Sequence, residues 1–265
     1  IPPSHNMVIY SLAAGGTVSI AQLFMAGIIP GVLLGLFLMG LCVILSYQRQ
    51  YPKGKMVPLR QAIGIVREAL WGLFTIFIIL CGVMFGIFTA TESAAVAALY
   101  AFLVTMFVYR DYRWRDLPQL AHRTGKTVIM VMMLIAMVSG FGYVMALMQI
   151  PSIATEFFLT LSSNVYVILA LINLLLLFLG CLMDMAPLIL ICTPILLPVV
   201  KSFGVDPVHF GIIMMLNLSI GLVTPPVGST LFVGCAIGKI PMERLVRKIW
   251  PCYISMLLVL ILITY

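Results

Sequence analysis

Uncharged apolar runs of about 20 residues, the length that crosses the hydrocarbon core of a bilayer as an α-helix, recur along the chain with short polar stretches between them. This limits the fold more than any single motif. Of the 265 residues, 63% are hydrophobic and only 9% are charged, with a mean hydropathy of +1.20. A soluble domain cannot hide that much apolar surface. Nothing alternates with period two, which argues against a membrane β-barrel. The expected class is an all-α polytopic membrane protein. All six cysteines (Cys42, Cys81, Cys181, Cys192, Cys235 and Cys252) lie inside apolar runs without metal-ligand spacing, so they read as packing residues.

The pattern predicts a short half-helix at 5–14, a long span at 19–46, an amphipathic polar link at 52–68, and spans at 69–88 and 92–109. A basic loop at 110–125, a span at 126–148 and a polar region at 149–164 follow. An apolar pair, 165–183 and 187–200, is split by Met183-Asp184-Met185-Ala186-Pro187. After a polar loop at 201–207 come a helix at 208–222, a break, a half-helix at 228–237, a basic loop and a last span at 249–265.

The net charge of +7 sits in the loops. Residues 47–68 and 110–126 hold ten Lys and Arg, and two spans separate these loops, so the positive-inside rule makes both cytoplasmic. Region 149–164 has no Lys or Arg, as an outer loop should. The second arm of the apolar pair falls short of a spanning length and carries Pro187, Pro194 and Pro198. A re-entrant hairpin fits it better than two spans. Of the 15 basic residues, only Lys201 then lies outside.

Two proline pairs, Pro2-Pro3 and Pro225-Pro226, each precede a short apolar half-helix, glycine and a long helix; Pro30 and Pro251 fall at similar places afterwards. The topology sends the first copy outward and the second inward, as in transporters built from inverted repeats with the binding site at the interrupted helices. Proline removes a backbone donor and disfavours helix at the preceding residue. The second pair should therefore expose carbonyls such as those of Gly221, Val223 and Thr224. In lipid such groups are tolerated only where protein or a wet cavity surrounds them. A small hard cation would take those oxygens, and the half-helix start at Val227–Ser229 would offer N–H groups to an anion. A plain proline kink would explain one break; two in inverted registers point to a site.

Among intramembrane polar residues, Asp184 is a functional candidate, and also an expected N-cap with Pro187 in the first turn of its helix. Glu92 reads mainly as helix-start capping. Ser139 and Gly140 could kink a helix, line a path or allow close packing. Asn217 and Ser219 could face a cavity or bond a neighbouring helix, and Asn173 reads as packing glue. No G-x-x-x-x-G-K-[ST] loop for ATP is present.

The segments GLVTPPVGSTLFV, IPPS, GIFTATESAAVAALYAF, PILLPVVKSFGVDPVHFGIIMMLNLSIG and LLVLILITY resemble the large membrane subunit of TRAP (tripartite ATP-independent periplasmic) transporters over essentially the whole chain. The resemblance implies sodium-driven uptake of an organic acid, such as sialic acid or a C4-dicarboxylate, across the bacterial inner membrane. It also implies a periplasmic binding protein, a small membrane subunit, an elevator motion, and no organic cofactor. Carried over by position, it makes Gly180–Pro187 a hairpin tip. Gly180, Cys181 and Asp184 with Gly221, Val223, Thr224, Pro225 and Gly228 would form one sodium site. Ile1, Pro2 and Ser4 would supply part of a second site. Met185, Ala186, Val227, Ser229 and Ser139 would face substrate. The implied division is 1–16 and 125–243 for the transport repeats, with 17–124 and 244–265 as scaffold and arm helices. The chain opens mid-motif at Ile1, so a preceding portion is expected. Where the family pattern would place TPTE, this chain has Thr89-Ala90-Thr91-Glu92, and Thr91 is expected to cap.

Two rival readings follow from the same features. One is a stand-alone sodium- or proton-coupled carboxylate transporter without a binding protein. The other, a membrane-embedded enzyme, would need a second reactive group at the depth of Asp184.

Overall fold

The computed structural model describes residues 2–50 and 58–265. Among them it contains helices and no strand. Among the described residues, seven helices are long and apolar enough to cross a membrane. By packing, the chain forms two compact units, Pro3–Gln48 with Leu134–Tyr265, and Arg49–Met133.

The first unit is built around α9 (Pro207–Leu222), preceded in it by α1 (His5–Ala13), α2 (Ile20–Arg49), α6 (Ile150–Leu161), α7 (Val165–Leu182) and α8 (Met185–Ser202). α9 is apolar on every face, the pattern of a helix with no solvent side. Phe210, Ile213, Met214 and Leu218 are fully buried. α7 packs along one side of it, and α8 and α1 pack on others. Two glycines allow the closest approaches. A Cβ on Gly211 would meet the Tyr10 ring at 2.6 Å and Leu23 at 2.9 Å. A Cβ on Gly221 would fall 2.5 to 2.8 Å from the backbone of Gly180. Asp206 caps α9, its Oδ1 accepting from the N–H groups of Val208 (2.8 Å) and His209 (3.1 Å).

α10 (Ser229–Gly238) and α11 (Met242–Thr264) complete this unit, and α11 packs back along α9. The two proline-led copies share their local form. α1 has 9 residues and α10 has 10. Pro30 lies inside α2 and Pro251 inside α11. The first copy turns on Gly15 and Gly16, at φ of +70° and +71°. The second turns on Lys239 at φ +49°, so the left-handed residue is the lysine and not Gly238.

The second unit pairs α3 (Leu59–Met84) with α4 (Ala90–Leu103), which continues as a π-helical turn over Val104–Tyr109. Ser93 Oγ donates to the carbonyls of Ile78 and Ile79, Tyr100 OH to Trp71 O, and Tyr109 OH to Glu68 O, so the pair is antiparallel. α4 starts with a capping box: Thr89 Oγ1 accepts from Glu92 N–H at 3.3 Å, and Glu92 Oε2 accepts from Thr89 N–H at 2.8 Å. Thr89 is thus the cap, in place of the expected Thr91.

Other boundaries differ from the sequence reading for physical reasons. The described part of the amphipathic link is the first portion of α3, since residues 59–71 contain no proline to stop it; 51–57 lie outside the described residues. The 110–125 loop is short, because a 3₁₀ turn at Trp114–Asp116 leads directly into α5 (Leu117–Leu147). The polar region 149–164 contains α6, with Pro151 in its first turn, where no backbone donor is needed. The basic loop before the last span forms the opening turns of α11, with Glu243 near the start. α8 has 18 residues, so its length no longer argues against spanning; Pro187 falls among the first four N–H positions, which have no helical partner anyway.

Candidate functional site

The hairpin tip is the two-residue link Met183-Asp184 between α7 and α8. It lies against the α9–α10 break. Gly180 and Gly221 touch through their backbones, and Val227 N–H donates to Cys181 O at 3.2 Å. The tip and the break, expected to meet, are neighbours in the fold.

The break is held from several directions. Thr224 Oγ1 donates to Ile220 O at 2.6 Å, and its N–H to Gly221 O at 2.9 Å. Tyr253 OH, from α11, donates to Val223 O at 2.6 Å. The Pro225–Pro226 bond is cis. Gly228 then turns the chain at φ +43°, where an added Cβ would sit 2.9 Å from Thr224 O. Non-glycine residues avoid that conformation, and the space is closed as well.

This corrects two expectations. Gly221 and Val223 do not present bare carbonyls, since each accepts a hydrogen bond from within the protein. The Val227 N–H is likewise committed to Cys181 O. Among the expected oxygens, the carbonyls of Gly180, Thr224 and Pro225 have no donor within the described residues, while Ser229 N–H is free of a backbone partner there. Asp184 is the N-cap of α8 in extended conformation. Its carboxylate makes no capping bond and is exposed. A hard cation takes oxygen ligands of this kind. The second lone pairs of the Cys181, Gly221 and Val223 carbonyls also stay available.

The first break reaches the same tip. Asn6, in the first turn of α1, points Nδ2 at Met185 Sδ, 2.9 Å away, at the start of α8. Its Oδ1 is buried with no partner. Ser4 is the N-cap of α1 without a side-chain capping bond. Pro2 precedes it; Ile1 lies outside the described residues. Met185 is buried, Ala186 half-buried, and Pro225 half-buried in the break.

Ser139 is not brought to this constellation. It is exposed on α5, and its hydroxyl donates to Ile135 O of its own helix. Asn217 proves to be a bonding residue: Nδ2 donates to Asn173 Oδ1 at 2.7 Å and to Ile213 O at 2.9 Å. Asn173 Nδ2 donates onward to Thr264 Oγ1 at 3.0 Å, linking α7, α9 and α11. Ser219 donates to Met215 O and borders an apolar cavity of about 290 Å³ between α1, α2 and α9. The sequence reading missed Asn6, Tyr10, Tyr253 and Thr264. A tyrosine in an apolar run signals that its hydroxyl needs a partner, but not which carbonyl supplies it.

The family model for the "Tripartite ATP-independent periplasmic transporter, DctM component" matches residues 1–265. The chain belongs to that family. It is 42% identical over 265 residues to the C4-dicarboxylate TRAP transporter large permease protein DctM of Pseudomonas aeruginosa, covering 100% of this chain and 62% of that protein. It is 41% identical over 267 residues to the isethionate TRAP transporter permease protein DctMQ of Oleidesulfovibrio alaskensis, covering 100% and 42%. It is 38% identical over 263 residues to the sialic acid TRAP transporter large permease protein SiaM of Vibrio cholerae, covering 99% and 61%. The chain thus spans about three fifths or less of these relatives.

Proposed function

We propose that this chain belongs to the large permease of a sodium-coupled TRAP transporter, which takes up an organic acid across the bacterial inner membrane. A periplasmic binding protein delivers the substrate, and a small membrane subunit completes the transporter. The observation that carries the reading is the meeting of the hairpin tip with the broken helix at Gly180–Gly221 and Cys181–Val227. Interrupted helices place backbone oxygens inside a membrane protein, where ordinary helices offer none.

In this reading sodium is a transported coupling ion. The Gly180 and Thr224 carbonyls and the Asp184 carboxylate are its first candidate ligands, with Cys181, Gly221 and Val223 contributing spare lone pairs. Pro225 and Gly228 shape the break. Ile1, Pro2 and Ser4 would serve the symmetry-related site. Met185, Ala186 and Ser229 border the substrate, and Asn6 joins them. The tip and break would move as one body in an elevator step. The relatives are named for C4-dicarboxylate, isethionate and sialic acid at similar identities. Identity therefore supports the class, an organic acid, rather than one member. No catalytic step is needed.

Uptake into proteoliposomes holding the full large and small subunits tests this. Uptake should need both an inward sodium gradient and the binding protein. Uptake that needs sodium alone would favour the stand-alone transporter, and uptake indifferent to sodium would refute the coupling.

A further inference from the structure

The α3/α4 pair carries a groove that the transport reading does not use. It holds about 430 Å³ and is lined by Arg67, Leu70, Trp71, Phe74 and Tyr100. The walls are ordered and apolar. Phe74 lies 5.8 Å from Phe77 and 5.4 Å from Tyr100, ring centre to ring centre. The tyrosine hydroxyls are already committed, Tyr100 to Trp71 O and Tyr109 to Glu68 O. Arg67, one of the lining residues, is exposed and has no ion-pair partner among the described residues. Glu68 does not line the groove.

The bond from Tyr109 to Glu68 sets the end of the π-helical turn beside Arg67's neighbour, and Arg110, Arg113 and Arg115 follow in sequence. By the positive-inside rule this is the cytoplasmic end of the pair. Aromatic rings and cationic side chains at that depth meet headgroups on one side and acyl chains on the other. We propose that the groove binds an anionic phospholipid, its phosphate on the Arg67 guanidinium and one acyl chain along Leu70, Trp71 and Phe74. Charge complementarity decides the occupant. A guanidinium matches phosphate geometry, and an acyl chain needs only the apolar contact that Leu70 and Phe74 offer.

Trp71 is one of three tryptophans, so Trp114→Phe with Trp250→Phe makes it the sole reporter. The full chain would be placed in phosphatidylcholine vesicles containing a small fraction of phosphatidylglycerol or phosphatidylcholine with brominated acyl chains, which quench nearby indoles. Brominated phosphatidylglycerol should quench Trp71 at least about twofold more at equal mole fraction. Arg67→Gln should erase that difference, and Arg67→Lys, which keeps the charge, should retain part of it. Equal quenching by both lipids, or a preference that survives Arg67→Gln, would overturn the proposal. So would the absence of quenching by either lipid, since the groove would then be filled by protein.

Discussion

Gly180 and Gly221 meet backbone to backbone, and this contact joins the end of α7 to the end of α9. A Cβ on Gly180 would stand 3.2 Å from Gly221 Cα, whereas a Cβ on Gly221 would lie 2.5 Å from Gly180 carbonyl carbon. Gly221→Ala should therefore push the tip from the break and cost about 1–3 kcal/mol as overpacking. Gly180→Ala should cost less. Thermal unfolding would rank the two, and uptake should fall further in Gly221→Ala. The opposite order would mean that the contact does not limit the tip.

Tyr253→Phe keeps the ring and removes the hydroxyl that bonds Val223 O. The stability loss should be near 1 kcal/mol. If that hydroxyl orients a sodium-facing carbonyl, half-saturation by sodium should rise severalfold at unchanged substrate half-saturation. Equal shifts in both would assign Tyr253 to the fold alone.

Asp184 caps α8 by position and not by a side-chain bond. Asp184→Ala should thus cost less than the roughly 1 kcal/mol of an ordinary cap, yet reduce uptake strongly. Wild-type uptake in a folded Asp184→Ala protein would remove this residue from the site.

Thr89→Val breaks the capping box of α4 and should destabilise by about 0.5–2 kcal/mol. Glu92→Gln keeps an acceptor for Thr89 N–H and should leave uptake intact. A large uptake defect in Glu92→Gln would give this carboxylate a transport role.

Asn217→Leu strands the Asn173 acceptor, at about 1–3 kcal/mol. Replacing Asn173 with leucine as well should recover part of that loss. A double-mutant cycle on unfolding would measure the coupling, and strict additivity would contradict the buried Asn173–Asn217 bond.

The breaks were legible in the sequence because proline pairs leave a local signature. The hairpin tip was legible because Asp184 interrupts an apolar run. α6 was not, because its 12 residues fall below a spanning length and sit among polar neighbours. The start of α11 was hidden because Arg244, Arg247 and Lys248 read as loop, although Lys and Arg are good helix formers. The partners of the exposed carbonyls were hidden for a different reason. Tyr253 reaches Val223 across 30 positions, and only the packing of α11 on α9 creates that bond. The sequence could show that the helix breaks, but not which freed oxygens the fold satisfies itself.

Cys181 provides the most direct test of the central claim, that the tip and the break form one sodium site. In the full transporter with the other cysteines replaced, a membrane-permeant maleimide would report access to Cys181, which is half-buried beside Val227. Sodium should slow its modification severalfold relative to potassium, and Thr224→Ala should abolish that protection. Equal rates in sodium and potassium, in protein that still binds substrate, would contradict the account.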